Sequence, residues 1–133
     1  MEIEAARILE NLANELAKIR PMGNAQILFY AEAGDNWSGG SIFYERGGQV
    51  QFEGPSNDIF ILVEDLWFEA PSDKKWRGIT IFVDGDEFRT EFDYGEGWSE
   101  EEDEGDRRIP IVRAHFGDKP IYYPPIEGLE PWD

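Results

Sequence analysis

Trp76-Arg77-Gly78-Ile79-Thr80-Ile81-Phe82-Val83-Asp84-Gly85-Asp86-Glu87-Phe88-Arg89-Thr90-Glu91-Phe92-Asp93-Tyr94 is the most strongly β-patterned stretch of the chain. Ile79, Ile81 and Val83 alternate ahead of Asp84-Gly85, and Phe88, Phe92 and Tyr94 then alternate with Arg89, Glu91 and Asp93. Successive side chains of a strand point to opposite faces, and an Asp-Gly pair suits a tight turn. The stretch therefore predicts a hairpin with one wet face.

Upstream, the short aromatic run Ile27-Leu28-Phe29-Tyr30-Ala31 within residues 25–33 is bounded by Gly23-Asn24 and Gly34-Asp35-Asn36, and predicts a strand buried on both faces. Ser38-Gly39-Gly40 reads as a turn that opens Ile42-Phe43-Tyr44-Glu45. Gly47-Gly48 separates that segment from Gln49-Val50-Gln51-Phe52, so a second hairpin follows and the three strands form a meander. Two helical patterns flank these strands. In residues 3–20, Ala5, Leu9, Leu12, Leu16 and Ile19 recur at steps of three and four, Lys18 and Arg20 oppose the negative helix end, and Pro21 and Gly23 stop it. After Pro55, Ser56 is positioned as an N-cap for Ile59, Leu62, Val63 and Leu66. The β-branched Ile59, Ile61 and Val63 make strand the competing assignment for Ile59 to Trp67.

Ser72-Asp73-Lys74-Lys75 reads as a solvated turn. Downstream, Pro110 excludes a long helix over residues 109–116 but permits a short one beginning at the proline. The tail, with Pro120, Pro124, Pro125 and Pro131, is expected to run extended over the surface. The fold class is α+β: an N-terminal helix, a mostly antiparallel sheet of about five strands, one further helix between strand groups and an extended C-terminal tail.

The 133 residues carry 29 Asp and Glu against 12 Lys and Arg, a net charge of -17, so the chain is expected to be one small acidic domain. Nine Phe, five Tyr and five Trp suffice for one core at this length. Without Cys there is no disulfide framework, thiolate nucleophile or Cys-based zinc site. The start Met-Glu-Ile-Glu lacks a basic patch followed by an apolar run, so no signal peptide is expected, and the protein is expected to be soluble and cytoplasmic. An acidic surface repels nucleic acid and anionic lipid, which points to cationic partners and away from direct binding of either polymer or membrane.

Catalysis finds little to stand on. A single imidazole, His115 between Arg113 and Phe116, has no surrounding motif and reads as a packing or edge histidine. With 29 carboxylates, close pairs arise by chance and none is set apart as a glycosidase pair, even with Trp37 and Trp98 present to stack on sugars. Asp84-Gly85-Asp86 and the run Glu100-Glu101-Glu102-Asp103-Glu104 offer oxygen ligands without the spacing of a calcium loop, so only weak, nonspecific divalent binding is expected. Gly39-Gly40 and Gly47-Gly48 lack nucleotide-binding spacing and read as turn residues. No catalytic, cofactor or metal residue is assigned.

Charge is concentrated in one place. Residues 84–106 hold twelve acidic side chains and one basic, Arg89, and residues 96–106 hold seven carboxylates and no cation. Such a run can be a solvated, self-repelling loop. Alternatively it is an electrostatic interaction surface, for which Tyr94 and Trp98 supply aromatic anchors. The partner-binding set on the second reading is Asp93, Tyr94, Glu96, Trp98, Glu100, Glu101, Glu102, Asp103 and Glu104.

The order of segments resembles the YezG-like immunity proteins, antitoxins encoded beside polymorphic bacterial toxins. The likeness rests on Ile27-Leu28-Phe29-Tyr30-Ala31-Glu32 after a helix, Ile42-Phe43-Tyr44, and Leu66-Trp67. It continues through Trp76, Ile79-Thr80-Ile81, Asp84-Gly85, Phe88 and Phe92-Asp93-Tyr94 to Arg107 or Arg108 and Phe116-Gly117. The resemblance implies one immunity domain over residues 1–133, its core about residues 1–117 with a Pro-rich tail at 118–133. It further implies a cytoplasmic, non-enzymatic protein that neutralises a cognate toxin, commonly a nuclease, without a cofactor. Two departures bear on which toxin: the acidic insertion before Arg107 is long, and Ile109-Pro110 stands where the pattern carries an aromatic. Other classes compatible with the charge are a phosphate-mimicking regulator of a DNA- or RNA-binding enzyme and, with less support, a carboxylate-based hydrolase.

Overall fold

The computed structural model describes residues 3–19, 26–35, 37–85 and 87–123. Helix α1 spans Ile3–Ile19 and buries the stripe Ala5, Ile8, Leu9, Leu12, Ala13 and Leu16, the period expected of an amphipathic helix. Arg20, Pro21 and Gly23, expected to end it, lie outside the described residues. Strands β1 (Ile27–Gly34), β2 (Trp37–Arg46) and β3 (Gln49–Glu53) form the expected meander. Gly47 and Gly48, with φ of 61° and 83°, make the turn between β2 and β3.

Residues 38–40 are strand, not turn. Gly39 and Gly40 belong to β2, where they pair with Glu32 and Ala31 of β1. A Cβ on Gly40 would stand 3.1 Å from the Phe29 ring, so the glycine there makes room for a core aromatic.

Helix α2 (Asn57–Glu69) settles the helix-or-strand choice over Ile59 to Trp67. Ser56 caps it by accepting from the Ile59 N–H at 3.3 Å, and Ile59, Val63, Leu66 and Trp67 face the core. At its other end Lys75 donates to the carbonyls of Trp67 (2.7 Å) and Phe68 (3.1 Å). Lys75 is therefore a helix-terminal cap, rather than part of a purely solvated turn, and its charge opposes the negative helix end. β4 (Gly78–Asp84) and β5 (Glu87–Asp93) form the hairpin expected from the opening stretch.

Helix α3 (Glu104–Phe116) begins six residues ahead of Pro110, where the helix was expected to start. The Asp103 side chain accepts from Asp106 N–H at 2.8 Å and the Asp106 side chain accepts from Asp103 N–H at 3.1 Å, a reciprocal capping box. The box fixes the start inside the acidic run, and Pro110 is carried within the helix. Beyond α3 the chain forms β6 (Ile121–Tyr122), which pairs parallel with β3, so the sheet has six strands and not about five. Residues 124–133, including Pro124, Pro125 and Pro131 of the expected tail, lie outside the described residues.

The strand order is β5-β4-β1-β2-β3-β6, antiparallel except at β3 and β6. α1 and α2 cover one face, burying Ile27, Phe29, Ala31 and Ala33 of β1 with Ile42, Ile79, Ile81 and Val83 from its neighbours. On the other face Leu28, Phe43 and Val50 pack against Val112 and Phe116 of α3.

Candidate interaction surface

The site grows from one buried carboxylate. Glu32, 1% exposed, lies on the α3 face of β1, and its partners in the register are Gly39 of β2 and Gly78 of β4. Neither neighbour carries a side chain, so a slot opens over the glutamate. Arg107 of α3 enters it, donating from Nε to Oε2 at 2.7 Å and from Nη2 to Oε1 at 2.8 Å. The Tyr30 hydroxyl donates to Oε2 at 2.6 Å. A bidentate guanidinium pair matches carboxylate geometry and offsets the cost of burying the charge. Its hydrogen bonds to Glu32 hold Arg107 more firmly protonated than usual, while burial, reinforced by Glu32, pushes the Tyr30 hydroxyl well above its ordinary range.

The acidic run is built onto this pair. Arg107 Nη1 donates to the Glu102 carbonyl at 3.2 Å. The Trp98 ring lies 4.1 Å from the Arg107 guanidinium and 4.7 Å from that of Arg77, so two cations hold one indole. Trp98 Nε1 donates to Asp93 Oδ2 at 3.0 Å, and Gly95 N–H donates to Asp93 Oδ1 at 2.8 Å. Gly78 contributes again, since a Cβ there would meet the Tyr30 hydroxyl at 3.2 Å and the Trp98 ring at 3.4 Å. Gly95 and Gly97, with φ of 86° and 81°, supply the bends that bring Trp98 back over the sheet.

The expected partner-binding residues divide accordingly. Asp93 and Trp98 are joined to each other, and Glu102 accepts from Ser99 N–H at 2.7 Å. Asp103 caps α3, and Glu104 pairs with Arg108 at 3.1 Å. Burial raises the Glu104 pKa, an effect that Arg108 opposes. Glu96, Glu100 and Glu101 turn exposed side chains outward, and Tyr94, 42% exposed, has Lys74 Nζ 5.2 Å from its ring centre. The structure thus joins much of the set in one hydrogen-bonded segment in which part serves as framework and part faces solvent.

Glu32, Arg107, Arg77 and Gly78 do not stand out as site residues in the sequence. The available signal is a charged residue inside a strand that otherwise reads as buried on both faces, together with Arg107 immediately after a cation-free run. Both Glu32 oxygens already accept hydrogen bonds within the fold, from Tyr30 and from Arg107. His115 packs its ring 4.1 Å from Phe82 and 4.6 Å from Phe116, where burial and Arg89 lower its pKa. Among the described residues, no three His, Cys, Asp or Glu side chains converge to hold a metal ion, and no helix is long and apolar enough to cross a membrane. No protein-family model and no curated protein sequence matches the chain.

Proposed function

We propose that the protein is a cytoplasmic immunity protein that binds and neutralises a cognate basic toxin, a nuclease, by covering its cationic cleft. The observation that carries the reading is that residues 96–106 present carboxylates from a segment closed by the α3 capping box and held by Arg77 and Arg107 on Trp98. A mobile loop would lose side-chain and backbone freedom on binding, whereas a preorganised one enters the complex at lower entropic cost. Carboxylates aimed at solvent also steer a cationic partner before contact. The resemblance to YezG-like immunity proteins points the same way.

The test begins with a tagged pull-down from the native host at low and moderate salt. One basic nuclease retained at moderate salt supports the reading, because packing then adds to charge. A set of basic proteins lost together on adding salt would instead favour a phosphate mimic. With the partner in hand, the triple variant Glu96→Lys/Glu100→Lys/Glu101→Lys should slow association about tenfold or more at low salt with the fold intact. An unchanged rate would refute the electrostatic mechanism. Glu102 and Glu104 are unsuitable for this reversal because their side chains have partners within the fold.

A further inference from the structure

β5 is the terminal strand of the sheet, seven residues long, and among the described residues its outer edge pairs with no strand. An edge of this kind turns alternate backbone N–H and C=O groups outward, ready to accept another strand. The register sorts its side chains into two rows. Phe88, Thr90 and Phe92 stand opposite Val83, Ile81 and Ile79 on the face covered by α1 and α2. Glu87, Arg89, Glu91 and Asp93 stand opposite Asp84, Phe82, Thr80 and Gly78 on the α3 face. One row is largely apolar and the other carries three carboxylates against one guanidinium.

The apolar row continues into a pocket of about 520 Å³ lined by Leu66, Pro71, Trp76, Phe92 and Tyr94. Phe88, 41% exposed, extends the apolar row at the hairpin end of the strand. Backbone groups, an apolar row and an acidic row therefore coincide along one open edge.

We infer that the β5 edge is a strand-addition site for a protein segment that alternates basic and apolar residues. Main-chain hydrogen bonds to β5 supply the docking, its basic side chains lie over Glu87 and Glu91, and its apolar side chains lie over Phe88, Phe92 and the adjoining pocket. Charge selects this occupant over a second copy of the chain. Self-pairing would bring together two molecules of net charge -17 and, centred on Thr90, would set Glu87 against Asp93, although Arg89 would meet Glu91. The inference rests on the proposed function for the sign of the partner's charge, while the open edge and the two rows stand independently of it.

The probe is a capped heptapeptide of alternating Lys and Val, beginning and ending in Lys, with its fully N-methylated analogue as a control of equal charge that cannot donate from its backbone. Added to the full chain, the unmodified peptide should slow amide exchange at alternate residues of 87–93 and bind about tenfold or more tightly than the analogue. Glu87→Lys/Glu91→Lys, at exposed positions, should weaken it about tenfold with an unchanged circular dichroism spectrum. The triple variant Glu96→Lys/Glu100→Lys/Glu101→Lys should leave the β5 protection in place. Equal binding of both peptides, or protection confined to residues 96–106, would overturn the inference. A concentration-dependent dimer with β5 already protected would also overturn it, by making a second copy the occupant. Because the toxin experiment reverses charges in the acidic run and this one reads the backbone of β5, either idea can fail while the other survives.

Discussion

The two faces of the sheet are held by different physics although the same strands build both. Under α1 and α2, β1 contributes Ile27, Phe29, Ala31 and Ala33 to a dry layer. Turned over, the same strand contributes Leu28 to a smaller apolar cluster and then, along the same row, Tyr30 and Glu32 to an ion pair with Arg107. Apolar packing is nondirectional and tolerates a change of shape that conserves volume. A buried ion pair has strict geometry and fails asymmetrically, because losing one member strands the other. The dry face is therefore suited to holding the fold together, and the polar face to fixing where one particular loop sits.

Removing one member of the pair is expected to have the largest effect. Arg107→Ala leaves Glu32 buried with only Tyr30 as a donor, and should cost about 3–5 kcal/mol in chemical denaturation. The double variant Glu32→Leu/Arg107→Met should recover most of that loss. If the double variant were as unstable as the single one, shape rather than the stranded charge would be the cause, and the contrast between the faces would collapse. Leu12→Ala, on the dry side, should cost about 2–5 kcal/mol, since Leu12 is fully buried. Ile81→Leu, which keeps volume there, should stay below about 1.5 kcal/mol.

Trp98→Ala should cost less than Leu12→Ala, about 1–2 kcal/mol, but should raise amide exchange selectively across residues 94–102. Uniform exchange throughout that loop before and after substitution would mean that the two arginines do not fix it. The smallest effect concerns pH. Burial and Arg89 lower the His115 pKa, with Asp84 opposing, so the unfolded chain takes up that proton at higher pH than the folded chain does. Stability from this group is thus constant above the ordinary histidine range and declines as pH falls through it. His115→Phe should flatten the difference in urea midpoint between about pH 7.5 and pH 5.5, and an unaltered slope would place its origin in the carboxylates.

What the sequence makes legible tracks how local the cause is. The stripe of α1, the Ser56 cap, the Gly47-Gly48 turn and the alternation through β4 and β5 all arise from residues within a few positions of one another. The start of α3 was equally local but masked: Asp103 and Asp106 form a capping box among seven carboxylates, and Pro110 offers a louder and misleading boundary. Gly39 and Gly40 misled for a related reason. A glycine pair signals a turn unless a neighbouring strand needs the space, and Glu32 and Phe29 become neighbours only once the sheet is assembled. Glu32 and Arg107 are 75 positions apart, so no spacing rule connects them. Of the partner-binding set, the acidic and aromatic character was visible in the sequence, but the division between framework and exposed carboxylates depends on that distant arginine.

The central position of β1 also bears on how the chain reaches its fold. Its pairing with β2 closes a short hairpin, whereas its pairing with β4 sets Ile27 against Val83 and Phe29 against Ile81, across the whole of β2, β3 and α2. Closing that long loop is costly until many contacts form together, so the expected order is two early hairpin units that later join along a single seam. Substitutions along the seam, such as Ile81→Val, should then slow folding more than equally destabilising changes in α3, in the same way that a zip is limited by the engagement of its first teeth.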